Sequence, residues 1–271
     1  MNKNVYVSSG FYKDENPVNT LKIFVKNKIN AIELSGGTYI HQKQINEIKI
    51  LNRKESKIRI HNYFPPPKSK FVINLASQNK TIVTRSFKQL KKSILLAKEL
   101  NNKYFSFHAG FRFDPKPKQL GKKFKKISLN DKKKSEKTFF NNIIKLNLFA
   151  KKHNVKLLIE NNVINKKNFK TFNGNPLLLT NPTDIINFYK KLPKSIGFLL
   201  DVAHLKVSSV SEKFNLVDGI IKLNKIVNGY HLSDNNGLED QNRNFTINAW
   251  FLKYIKKNLS YYTLEIYRTN L

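Results

Sequence analysis

Three stretches of this chain end an apolar run in side chains that can do chemistry. "KLLIEN" (156–161) carries Glu160, "GFLLDVAH" (197–204) carries Asp201 and His204, and "NGYHLSD" (228–234) carries His231 and Asp234. An ionised carboxylate is expensive to bury alone, whereas carboxylates and imidazoles gathered around a cation are stabilised together. The chain has no cysteine. Any metal must therefore be held by His, Asp, Glu or water, a donor set that suits Zn²⁺, Mn²⁺, Co²⁺, Fe²⁺ or Mg²⁺ without choosing among them. The same pattern recurs elsewhere: Glu33 follows "AI", His61 ends "KIRI", His108 ends "YFSF" and Glu265 ends "YYTL". Taken alone, Glu33, Asp234 or His204 reads as a helix cap or a loop hydrogen-bond partner. His41 and His153 sit in helix-like contexts and read as surface residues.

What must position these residues is a set of short strands. Eight β-rich runs occur, at 4–10, 31–37, 57–64, 104–111, 156–162, 196–204, 226–234 and 261–268. Between them lie segments of helical periodicity, among them 85–100, 135–153 and 180–192. Strands alternating with helices imply βαβ units and a parallel sheet. Eight units predict one (β/α)8 TIM barrel domain over residues 1–271, with its working face at the strand C-termini. Seven of the eight runs carry their carboxylate or imidazole late, where a barrel brings them to one pocket. Asp201 and His204, three apart, would face opposite sides of a continuous strand. Both reach the pocket only if the strand ends near Asp201 and the chain turns. Leu271 follows the last run so closely that the eighth helix is expected to be short or missing. A homodimer partner or the N-terminal segment would then cover the last strand.

The 271 residues carry a formal charge of +32, almost all of it lysine. Two readings stand: a surface for phosphates or nucleic acid, or a Lys/Asn/Ile-rich compositional habit. Arginine, the usual phosphate fork, is scarce. There is no signal-peptide pattern and no membrane-length apolar run, so a soluble, cytoplasmic protein is expected. The stretch 110–131 is far longer than a usual βα loop and is basic, with Arg112, Lys116 and Lys118 near its start. It is expected to act as a lid that closes on an anionic substrate.

The chain resembles the xylose isomerase-like barrels, a superfamily that includes sugar isomerases and epimerases and apurinic/apyrimidinic endonuclease family 2. "IEN", "DVAH" and "HLSD" resemble its "IEN", "DxxH" and "HxxD" signatures. "HNYFPPPKSKFVINLAS" (61–77) and "FHAG" (107–110) resemble endonuclease segments. The resemblance covers nearly the whole chain. It implies Glu160, Asp201, His231 and Glu265 as ligands of one divalent metal, with Glu160 and Glu265 also serving as the acid/base pair. It implies His61, His108 and His204 as substrate contacts or as ligands of a second metal. In the endonucleases a third metal uses the His204 match and an Asp-x-His; here Asp240 fits the Asp, but Asn242 stands at the His.

The leading expectation is a metal-dependent isomerase or epimerase of a small sugar or sugar phosphate, working through an enediolate. The alternative is an endonuclease-like phosphodiesterase acting on nucleic acid. A non-enzymatic sugar-binding barrel ranks last, because every presumed ligand for one metal is present. No membrane partner is expected.

Overall fold

A computed structural model describes residues 5–12 and 16–267. All eight expected strands are present, each shorter than its apolar run: β1 (Val5–Ser8), β2 (Ala31–Leu34), β3 (Lys57–Ile60), β4 (Tyr104–His108), β5 (Lys156–Glu160), β6 (Ile196–Asp201), β7 (Val227–Leu232) and β8 (Tyr262–Leu264). They form one all-parallel sheet in the order β3-β2-β1-β8-β7-β6-β5-β4. The barrel closes between β3 and β4 through a single parallel bridge, His61 to Ser106, where Asn62 N–H donates to Ser106 O at 2.8 Å. Asn4 and Arg268, the outermost residues of two expected runs, lie outside the described residues.

Among the described residues eight α-helices surround this sheet: α1 (Pro17–Lys26), α2 (Gln42–Lys54), α3 (Lys80–Glu99), α4 (Lys132–Lys152), α5 (Lys166–Phe172), α6 (Pro182–Tyr189), α7 (Val202–Glu212) and α8 (Leu216–Leu223). Seven open on an Asn or Asp whose side chain accepts an orphan N–H of the first turn: Asn16, Asn79, Asp131, Asn165, Asn181, Asp201 and Asn215. The asparagine-rich composition is thus spent in part on helix starts. Outward strand residues such as Ile32, Phe105, Ile159 and Phe198 pack against Phe24, Ile94 and Phe139 of the helices in one buried core. Inside the barrel, Leu158, Leu199 and Tyr261 form a separate apolar cluster. Arg59 fills the space beside them, clamped between the rings of Tyr6 and Tyr261 at 3.7 and 3.6 Å.

The eight-unit expectation needs one adjustment. No α-helix lies between β7 and β8, and none follows β8 among the described residues. The β7–β8 connection is rich in Asn, with Asp beside it, and their side chains bond nearby backbone and compete with a helix. Asn235 Oδ1 accepts Gly237 N–H at 2.8 Å, and Asn236 Oδ1 accepts Leu238 N–H at 2.9 Å. On the side these helices would cover, Val5, Val7, Ile29 and Leu264 border an open groove of about 790 Å³.

Candidate metal and acid–base centre

Side chains two apart on a strand share a face. Glu160 therefore follows Leu158, and Asp201 follows Leu199, out of the apolar barrel interior toward its C-terminal mouth. Strand register brings the ends together: His108 pairs with Glu160, and Asp201 pairs with His231. Ligand-type atoms of Glu160, Asp201, His231 and Glu265 all lie within 4.8 Å of one another, and all four residues are buried. His231 Nδ1 lies 2.9 Å from Glu265 Oε2 and 3.3 Å from Glu160 Oε1. Two further triads share members with this group, His61–His108–Glu160 and Glu33–His61–His231.

The electrostatics are those of a compressed charge cluster. Burial pushes the Glu160 carboxyl up, but His108, His231 and His61 outweigh burial and hold it well below the usual carboxylate range. Burial likewise opposes, and His231 overcomes, the shift that takes Glu265 down to about 2. Asp201 goes the other way: burial, reinforced by Glu265 and Glu160, raises it well above its ordinary value despite His204. Burial lowers His231, yet Glu160, Glu33 and Glu265 together raise it far above the ordinary imidazole value. Both Glu160 oxygens, Asp201 Oδ2, Glu265 Oε2 and His231 Nδ1 are buried without a well-formed hydrogen bond. Unused lone pairs on a buried three-carboxylate, one-imidazole set are what a divalent cation satisfies. The residues present fit such an ion.

Residues 23–252 match a family model described as xylose isomerase-like TIM barrel. The chain belongs to the xylose isomerase-like TIM barrel family. No curated protein sequence matches it. Among solved structures, a D-tagatose 3-epimerase-like protein superposes with a TM-score of 0.72 at 20% identity, covering 99% of this chain and 91% of that one. A 3-keto-D-glucoside 4-epimerase from E. coli gives a TM-score of 0.68 at 11% identity, covering 99% and 94%. A Thermus thermophilus protein soaked with ZnCl₂ gives 0.60 at 15% identity, covering 97% and 91%.

In this xylose isomerase-like barrel a cavity of about 320 Å³ abuts the cluster from outside. It reaches His108 and His204 but not the four-residue set, which lies one side chain deeper. His108 Nδ1 and His204 Nδ1 lie 3.6 and 3.7 Å from Glu160 oxygens, so the two rings stand between cavity and carboxylate. His61 is buried beside them, its Nε2 3.3 Å from Glu160 Oε2. All three expected secondary residues thus face the same centre. The strand does end at Asp201, and α7 begins at once, which turns His204 back toward the site.

The single-residue reading of Glu33 needs correcting, whereas Asp234 is the loop hydrogen-bond partner it read as, its Oδ1 accepting Asn235 N–H at 2.8 Å. Neither caps a helix. Glu33 is buried, with Oε1 2.9 Å from His231 Nε2. Asp234 accepts Lys206 Nζ at 2.6 Å. The signal for Glu33 was its inward phase on β2, two strands from β8. His41 is exposed at the start of α2, and His153 ends α4 against Phe149; neither joins the cluster. Asn242, standing at the endonuclease His, donates to the Glu265 backbone carbonyl at 3.0 Å, while Asp240 Oδ2 lies 3.2 Å from His204 Nε2.

The long basic loop does wall the cavity, but with other residues than expected. Phe111, Leu120, Gly121, Lys122 and Phe124 line it; Arg112, Lys116 and Lys118 do not. Arg112 is drawn inward to the loop's own stem, where Nε donates to Asn130 O at 3.1 Å and Nη1 to Asn175 O at 2.8 Å. Lys116 precedes and Lys118 lies within a 3-10 turn (Pro117–Gln119), and both are exposed.

Proposed function

We propose that this protein is a divalent-metal-dependent isomerase or epimerase of a small sugar or sugar phosphate. The observation that carries it is the buried Glu160–Asp201–His231–Glu265 set with its unsatisfied lone pairs. It is supported by the structural likeness to barrels whose names describe inversion at a sugar carbon.

The same four residues would hold the cation, which when bound supplies electrophilic stabilisation of the oxyanion of an enediolate. The rest is work for the chain's own groups. Glu160 and Glu265 are both held ionised by neighbouring histidines, so either can accept a proton from carbon beside a sugar carbonyl. For inversion, one carboxylate takes the proton from one face, and the other, which must first be protonated from solvent, returns a proton to the opposite face. His108 and His204 meet the cavity and would bond substrate oxygens. Phe111, Phe124 and Leu177 in its wall limit the water that could intercept the carbanion.

The test is proton exchange. Metal-loaded protein incubated with ketohexoses, ketopentoses and their phosphates in D₂O should place deuterium on the inverted carbon. Glu160→Gln and Glu265→Gln should each stop exchange, by about 10²–10⁴-fold or more, while circular dichroism stays native. Elemental analysis should find one metal equivalent; three equivalents, with no exchange on any sugar, would sink this reading.

A further inference from the structure

Beneath the four-residue set runs a continuous chain of polar contacts that the proposed chemistry does not use. Glu33 Oε2 accepts Tyr261 O–H and, at 3.0 Å, Thr263 Oγ1–H. Glu33 Oε1 lies 2.9 Å from His231 Nε2, a close but off-axis approach. Tyr261 OH lies 2.7 Å from Ser106 Oγ, and Ser106 Oγ lies 2.8 Å from His61 Nδ1. All these side chains are sealed: Glu33, His61, Ser106, Tyr261, Thr263 and His231 are all buried. Gly229 makes room for the belt, since a Cβ there would sit 2.6 Å from Tyr261 Cβ.

Counting donors fixes the direction of every proton. An ionised carboxylate only accepts. Tyr261 therefore gives its one proton to Glu33 and must accept from Ser106. Ser106 has then spent its proton and must accept from His61, which places the His61 hydrogen on Nδ1 and the lone pair on Nε2. On the other side, His231 presents Nε2 to Glu33 at 2.9 Å, and its Nδ1 faces the centre, where a bound cation would take the place of the Nδ1 proton. The two remaining nitrogens face the carboxylates of the centre: His61 Nε2 is 3.3 Å from Glu160 Oε2, and His231 Nδ1 is 2.9 Å from Glu265 Oε2 and 3.3 Å from Glu160 Oε1. Arg59, whose Nη1 is 3.9 Å from Glu33 Oε2, is the most distant partner and does not explain the carboxylate's aim.

We propose that Glu33 is the positioning residue of this centre, orienting His231 directly and His61 through the Tyr261–Ser106 relay so that His61 Nε2 and His231 Nδ1 face the carboxylates of the cluster. It acts through the two rings and touches no substrate. Its metal consequence rests on the functional reading above, because buried partners of ligating histidines govern ring orientation and affinity.

The test uses the full chain with ¹⁵N-labelled histidine, long-range ¹H–¹⁵N spectra, and Zn²⁺ titrated against a chelator of known affinity. Metal-free wild type near neutral pH should show His61 as a single Nδ1–H tautomer, and Zn²⁺-loaded wild type should show His231 ligating through Nδ1. Ser106→Ala should turn His61 into a tautomer mixture and leave His231 unchanged. Glu33→Gln should blur both rings and weaken Zn²⁺ by about 10–100-fold. If Glu33→Gln does not fold, Ser106→Ala decides through His61 alone. A wild-type His61 protonated on Nε2, or one pure Nδ1–H tautomer surviving in every folded variant, overturns the proposal. Wild type that binds no Zn²⁺, or binds it and inverts no sugar, defeats the functional reading instead, and the His61 tautomer still decides this one.

Discussion

Asp201 meets His204 with two different oxygens: Oδ1 accepts the His204 backbone N–H at 2.7 Å, and Oδ2, without a hydrogen bond of its own, lies 3.8 Å from the ring's Nε2. One carboxylate thus caps α7 and also faces the charge cluster. One oxygen serves the helix and the other faces the cluster.

This division predicts opposite outcomes for two substitutions. Asn caps as well as Asp, and a neutral amide resembles the protonated form that burial favours for Asp201. Asp201→Asn should keep metal-free stability within about 1 kcal/mol, since only the cap is at stake, yet should lose metal binding and activity. Asp201→Ala should lose both and cost about 0.5–2 kcal/mol in urea unfolding for the missing cap. Equal stabilities for the two variants would remove the cap from the account.

His108 predicts an acid-side slope. Burial, with His61 and His204 adding, pushes it down to about 4 although Glu160 opposes. The unfolded chain, with histidine near ~6.5, takes the proton more readily, so stability contributed at neutral pH is lost as pH falls from about 6.5 to 4. The unfolding free energy of metal-free wild type should fall relative to His108→Asn across that window. Parallel curves would refute the assignment.

The loop separates two kinds of basic residue. Arg112 bonds two backbone carbonyls, so Arg112→Ala should destabilise the protein by about 1–3 kcal/mol, read as a lower melting temperature. Lys122 borders the cavity. Lys122→Ala should raise KM for sugar phosphates more than for free sugars and leave kcat close to wild type, whereas Lys116→Ala and Lys118→Ala should change neither.

Charge placement predicts weak nucleic-acid binding. Lys91, Lys92, Lys98, Lys190, Lys191, Lys194, Lys256 and Lys257 are all exposed, and they lead into strands, at the end of the barrel opposite the mouth. The field is dispersed, and Asn242 braces Glu265 instead of adding a ligand. At near-physiological salt, metal-loaded protein should not incise duplex DNA at a single abasic site, and its association should fade steeply with salt. Specific incision, lost in Glu160→Gln, would reverse the preference for sugar chemistry.

The sequence by itself determined the eight strands and the residues that end them. Both are local properties: an apolar run marks a strand buried on two faces, and a carboxylate or imidazole at its end is visible without knowing its neighbours. Glu160, Asp201, His231 and Glu265 could therefore be named from strand ends and family resemblance together. Tertiary structure decided what each group touches, because strand register and ring orientation depend on partners remote in the chain. Glu33 looked like a cap until β8 brought Tyr261 and Thr263 beside it, 228 and 230 residues away. Arg112 looked like a lid charge until the loop folded it onto Asn130 and Asn175. The helix missing between β7 and β8 is written in local Asn and Gly turns, but eight-fold regularity outweighed them until the backbone was seen.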